Sequence, residues 1–147
     1  MERALAAARG VPASSLADGE VPVGALVVAA DGTILAEAAN APVGENDPSG
    51  HAEIRAMRKA AGRAGNYRLG GCVLVVTLEP CLMCAGAIVH ARLAGVVYGA
   101  SDRRAGAVAS CLEALDLPFL NHRTWHFGGI KAEACAGLLK AFFEKRR

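Results

Sequence analysis

His51, with Glu53 two residues on, and the segment Cys81-Leu82-Met83-Cys84 are the residues of this chain whose types and spacing are best suited to chemistry. An imidazole and two thiols are borderline-soft donors, the kind that favour zinc over magnesium or calcium. Structural zinc takes four protein ligands, whereas catalytic zinc takes three and a water. A set of three donors with a carboxylate beside it therefore points to an open catalytic position. Zinc in such a site lowers the pKa of its water to about 7, and Glu53 is placed to carry the proton released. The expected reaction is a hydrolysis at neutral pH.

Other readings exist for each part taken alone. A Cys-x-x-Cys pair is also a redox dithiol, half of a structural zinc knuckle, or two buried thiols on a helix. The redox reading expects a thioredoxin-like context, and the knuckle expects a second Cys/His pair; here the upstream partner is one His with a Glu beside it. His51 alone would be a cap or a surface group, and Glu53 alone a solvated first-turn carboxylate favoured by the helix dipole. Only the combination makes them ligand and base.

The elements that must position these residues follow from pattern. Residues 2–9 form an Ala/Leu helix ended by Gly10-Val11-Pro12, and residues 12–19 read as a loop. Residues 24–29 and 33–36 flank Asp31-Gly32, a hairpin signal, and so read as antiparallel strands. A long polar connection from Asn40 to Gly50 delivers the chain to His51, with Asp47 or Ser49 available to cap a helix over residues 52–61. Residues 72–77 are a β-rich run, and Pro80 is suited to open a helix over 81–92 that holds Cys81 and Cys84 on one face. Two helix N-termini thus meet at one metal, where their dipoles favour thiolates. Residues 95–99 give a fourth strand reached by a parallel crossover. Residues 101–109 read as a loop, 111–115 as a short helix, 124–127 as a weak fifth strand and 131–144 as a C-terminal helix. The alternation predicts a three-layer α/β/α domain with a mixed five-stranded sheet, the metal and substrate sitting beside Glu79-Pro80.

Composition sets the bounds. At 147 residues the chain reads as one domain over 1–147, able to bury a core without disulfides. Of five cysteines, two are assigned to metal, and Cys72, Cys111 and Cys135 are expected to be reduced and buried, which suits a cytoplasmic setting. No run approaches the roughly 18 apolar residues of a membrane span. A net charge of +2 permits a nucleic-acid partner without demanding one.

Beyond the metal motif, the chain from about Glu20 to Arg147 resembles the bacterial tRNA-specific adenosine deaminases of the cytidine and deoxycytidylate deaminase superfamily. The resemblance rests on 20–25 (Glu-Val-Pro-Val-Gly-Ala), 47–53 (Asp-Pro-Ser-Gly-His-Ala-Glu), 77–87 (starting Thr-Leu-Glu-Pro-Cys), 98–102, Asn121-His122-Arg123 and Phe142-Phe143. It implies hydrolytic conversion of adenosine to inosine at the wobble position of a tRNA anticodon, with zinc held by His51, Cys81 and Cys84 and Glu53 as proton shuttle during attack at C6. It further implies that Asn40 and the Ala52 amide contact the flipped base and that Asp102 contacts flanking RNA. Phe143, Arg146 and Arg147 would meet the anticodon loop by stacking and phosphate contacts. A homodimer is expected on the same ground. Gly50 and Ala109 stand where the family has Ala and Gly, and Arg104 where it has Lys. Competing readings are a free nucleobase or nucleoside deaminase, which needs the same zinc and Glu, and a non-catalytic zinc-stabilised RNA-binding subunit, which would not need Glu53. Asn121-His122-Arg123 and the basic aromatic C-terminus favour RNA over a small substrate.

Overall fold

The computed structural model describes residues 1–146; Arg147 lies outside them. Five strands form one sheet in the order β2-β1-β3-β4-β5. Strand β1 (Gly24–Val28) runs antiparallel to β2 (Ile34–Ala39) and to β3 (Val73–Leu78), while β3, β4 (Gly95–Ala100) and β5 (Trp125–Phe127) are mutually parallel. Helices α1 (Glu2–Arg9) and α5 (Ala132–Glu144) pack on one face; α3 (Ala52–Ala64) and α4 (Leu82–His90) lie on the other. The expected three-layer domain with a mixed sheet is therefore the one observed.

The main core lies between the sheet and α3/α4. Val27, Leu74, Val76 and Val96 from the strands meet Ala56, Met57 and Ala60 of α3 and Ile88 of α4, all buried. On the opposite face α1 rides directly on β1. A Cβ at Gly24 would sit 2.1 Å from the Ala4 carbonyl oxygen, so only glycine allows this approach. Among the described residues no helix is long and apolar enough to cross a membrane.

Three local expectations are corrected. Residues 12–19 are not all loop, because Ala13–Ala17 form a short helix, α2, entered from Pro12, whose fixed φ suits a helix start. Residues 111–115 are not helical. The Cys111 and Ala114 amides donate to the carbonyls of Gly106 and Ala107, which folds the segment back on the preceding loop. Cys111 is consequently exposed, whereas Cys72 and Cys135 are buried as expected. Helix α3 also runs past Gly62 and stops at Gly65, which takes the left-handed conformation (φ 61°) that closes helices.

The α2 helix is held from the far end of the chain. Arg146 Nη1 donates to the carbonyls of Leu16 (2.6 Å) and Ala17 (3.2 Å), and its guanidinium lies 5.2 Å from the centre of the Phe142 ring. A cation at helix carbonyls answers the unpaired acceptors of the last turn. Arg146→Ala is expected to lower stability by about 1 kcal/mol, since the contact is charge-assisted yet exposed to solvent. A urea midpoint unchanged from the parent would show that the contact contributes nothing.

Candidate metal centre and its flanking loops

The site is built where two helices begin. His51 is the residue preceding α3 and has an extended backbone, and Cys81 plays the same part for α4. Cys84 follows in the first turn of α4 and is buried, and Glu53 in the first turn of α3 is 4% exposed. Neither Asp47 nor Ser49 caps α3. Asp47 instead binds the amide and hydroxyl of Ser49, and Asn40 reaches across the loop to take the Ala52 amide at 2.9 Å. That single bond joins the end of β2 to the start of α3 and sets where His51 stands.

The three donors converge. His51 Nδ1 lies 3.6 Å from each of the Cys81 and Cys84 sulfurs, and the three ligand atoms fall within 4.8 Å of one another. A tetrahedron with Zn–N near 2.05 Å and Zn–S near 2.3 Å has N···S edges of about 3.6 Å. The donor set thus fits zinc in type and in spacing, and with three protein ligands it leaves the fourth position for water or substrate. Among the protein groups themselves, one negative charge is shared by the thiol pair. A hydrogen bond from Cys84, with His51 beside it, lowers the Cys81 pKa to about 4. Cys84 is pushed well up, because it donates to Cys81, is buried, and would become a second anion beside the first. The Cys81 thiolate in turn raises the imidazole of His51. Burial raises the Glu53 carboxyl, only partly opposed by its own amide and by His51.

Two further buried carboxylates shape the walls, and their chemical roles are not apparent from spacing. Glu79, 2% exposed, accepts through Oε1 from the amides of Val108 (3.2 Å), Ala109 (2.8 Å) and Ser110 (2.8 Å). Its Oε2 accepts from the Asp102 amide (3.0 Å) and the Ser110 hydroxyl. Burial alone would push this carboxyl up, but these bonds outweigh it and hold it below the ordinary range. Glu20, 1% exposed, accepts through Oε2 from the amides of Val43 and Gly44 in the loop that leads to His51, while its Oε1 is buried with no partner among the described residues. A Glu preceding an apolar strand gives no hint in sequence of the loop it will bind.

The residues assigned to substrate are distributed unevenly. Asn40 and Ala52 stand together beside the metal ligands, bonded to each other. Asp102 is half-buried at the mouth of the 101–110 loop, where its Oδ1 takes the amides of Arg104 and Ala105. Phe143 is exposed, its ring edge-on to the buried Phe142 with centroids 5.1 Å apart. Arg146 is engaged by α2. Asn121-His122-Arg123 do not reach the metal within this chain. Asn121 is bound by Arg92 and His122 by the Leu93 carbonyl, at the end of β4 opposite the ligands. In the folded chain these three residues therefore do not discriminate between RNA and a small substrate at the metal. A cleft of about 730 Å³ lies away from the metal, between α1, α2 and α5.

Comparison with known proteins adds to this geometry. Residues 1–100 match the cytidine and deoxycytidylate deaminase zinc-binding region. A tRNA-specific adenosine deaminase of Haemophilus influenzae is 46% identical over 129 residues, which is 88% of this chain and 75% of the relative. A structure solved in work on A-to-I editing by tRNA:A34 deaminases at the wobble position of transfer RNA superposes with a TM-score of 0.86 at 40% identity, covering 95% of this chain and 97% of the other. The guanine deaminase of Bacillus subtilis superposes with a TM-score of 0.61 at 33% identity, over 97% and 90% of the two chains.

One zinc per chain is expected in freshly purified protein by elemental analysis, and Cys84→Ala is expected both to lose the metal and to unfold at lower denaturant, because ligand binding is coupled to folding. Full zinc occupancy in that variant would remove Cys84 from the ligand set.

Proposed function

The chain belongs to the cytidine and deoxycytidylate deaminase family, and within it to the tRNA-specific adenosine deaminases; from that premise we propose that it converts adenosine to inosine at the wobble position of a tRNA anticodon. The observation that carries this reading is the convergence of His51, Cys81 and Cys84 beside the buried Glu53, on a fold that follows a tRNA:A34 deaminase over nearly its whole length. When bound, zinc supplies the Lewis acidity that makes water a nucleophile near neutral pH. Glu53 takes the proton that water gives up, delivers it to the ring nitrogen, and then passes one to the departing amine, which leaves as ammonia. Burial raises its pKa, the direction that helps a shuttling carboxyl keep the proton it has taken up.

The substrate base has to leave its stack to reach this site, which is least costly in a single-stranded loop. Asn40 and the Ala52 amide, already side by side, are the polar groups that would orient the flipped base by exchanging their mutual bond for bonds to it. Asp102 and the exposed Phe143 are assigned to flanking nucleotides, the latter by stacking. Arg146 contributes to RNA binding chiefly by holding α2 and the Phe142-Phe143 turn in place. A guanine-type small-substrate deaminase is the second reading, favoured only by the shared zinc motif, and the lower TM-score of the Bacillus subtilis enzyme weighs against it. A tRNA substrate and reduced thiols are suited to the cytoplasm.

On a transcribed tRNA with adenosine at the wobble position, the parent is expected to form inosine far faster than it acts on free guanine or adenosine. Glu53→Gln should keep zinc and RNA affinity but lose at least about 10²-fold in rate, the lower end of what positioned acid–base groups supply. Turnover within tenfold of the parent would remove Glu53 from the proton path, and preference for free guanine would overturn the tRNA reading.

We also infer a homodimer. The outer face of α4 exposes Leu82 (60%) and Met83 (38%) between the ligand positions 81 and 84, with open space above Gly86 one turn on. An apolar, small-centred helix face beside an active site is suited to a second copy of the same chain. Sedimentation velocity is expected to give twice the chain mass for the parent and a monomer for Leu82→Glu; a monomeric parent would exclude the dimer.

A further inference from the structure

We propose that Glu79 is the positioning residue of this reaction: its carboxylate gathers the 102–110 loop around one anion and fixes that loop as an RNA-facing wall against the ligand Cys81. The proposal rests on the tRNA reading for what the wall receives, and on the geometry alone for what holds it.

Four backbone amides and one hydroxyl point at the two oxygens of Glu79, so both are fully used and the residue has no acceptor left for substrate. It acts through the loop. The same segment is tied to that loop by backbone as well. Glu79 N donates to Ala100 O, Ala107 N donates to Pro80 O, and Cys81 forms an isolated antiparallel bridge with Gly106. The carboxylate therefore closes a ring of contacts that begins at a metal ligand and returns to it. At Gly106 the fit is closed completely, since a Cβ there would lie 2.4 Å from the Glu79 carboxyl carbon and 2.5 Å from the Asp102 carbonyl oxygen.

The ring displays cations to solvent. Asp102 Oδ1 binds the amides of Arg104 and Ala105, folding a turn whose exposed charged residues are Arg103 and Arg104. Two guanidinium groups on a turn of fixed position can engage a sugar-phosphate chain at a lower ordering cost than the same cations on a mobile loop would. Neutral Gln at position 79 cannot replace the carboxylate. One of its terminal atoms is an amide donor, so some of the converging N–H groups would face another donor.

The test uses the zinc-loaded full chain. In Glu79→Gln, amide hydrogen exchange at Asp102, Ala109 and Ser110 is expected to accelerate by about tenfold or more, as for loss of hydrogen bonds to a charged acceptor, with α4 amides unchanged. KM for the tRNA should rise by about tenfold while kcat stays within about threefold and zinc remains at one per chain, the pattern of lost binding rather than lost chemistry. Gly106→Ala, which displaces the carboxylate without removing it, should reproduce the KM rise. Ser110→Ala, which deletes one side-chain donor and leaves the backbone intact, should give a smaller shift in the same direction and carries the test should the other variants fail to fold. Parent exchange rates and parent KM in the variants that fold would overturn the proposal. So would a fall in kcat that tracks zinc loss, which would place Glu79 with the metal rather than with the loop. Should the parent not act on tRNA at all, the functional reading fails, and the exchange measurement still decides whether Glu79 holds the loop.

Discussion

Everything in this molecule is arranged around keeping anionic groups at the edge of an apolar core. Two thiols, an imidazole and a carboxylate meet at the edge of the core that holds Leu74, Val76 and Ile88, where an unmatched charge would be costly. The fold answers by starting two helices at that spot. The amides of the first turns of α3 and α4 have no intrahelical acceptors, and the helix dipoles place partial positive charge where the thiolate and Glu53 stand. Cys81 at the head of α4 is the group that benefits most, and the parallel β3–α4–β4 unit is what aims that helix end at His51.

Three buried glutamates show how environment assigns different work to one side chain. Glu79 is satisfied on every side and is held in its charged form, which suits a structural anion. Glu53 is buried among groups that offset its charge only in part, so its pKa is raised, the direction that helps it keep a proton it has taken up. Glu20 lies between these cases. One oxygen fixes the loop that leads to His51, and the other has no partner among the described residues. The glutamates at 20 and 79 fix the two loops that flank the metal, and the two loops are joined to the metal-bearing helices by backbone rather than by side-chain packing alone.

The C-terminal helix serves the same economy of contacts at a distance. Phe142 turns into the cleft between α1, α2 and α5, Arg146 covers its ring and ties down α2, and Phe143 is thereby turned outward with its ring accessible. Adjacent aromatics on a helix cannot face one way, so burying one exposes the next. A stacking surface for a nucleobase then follows from a packing decision made one residue earlier.

Much of this was legible in the sequence, and the reason is local. His51 with Glu53, Pro80-Cys81 with Cys84, the Asp31-Gly32 hairpin and the apolar strand runs each carry their information within a few residues, through ligand chemistry, helix-start geometry and periodicity. The metal donors, the mixed sheet and the family resemblance were therefore recoverable without coordinates. The tertiary structure alone decided what depends on residues far apart meeting. No spacing rule joins Glu79 to the amides of 108–110, Asn40 to Ala52, or Arg146 to Leu16 across 130 positions. The same long-range bonds explain the misread segments. The 111–115 stretch, helical by local pattern, spends its amides on the loop that Glu79 organises, and Asn121-His122-Arg123 lie at the far end of β4 because Arg92 and Leu93 bind them there. Local propensity is worth tenths of a kcal/mol per residue, and satisfying a buried charge about 1–3 kcal/mol, so where the two compete the charge decides the fold.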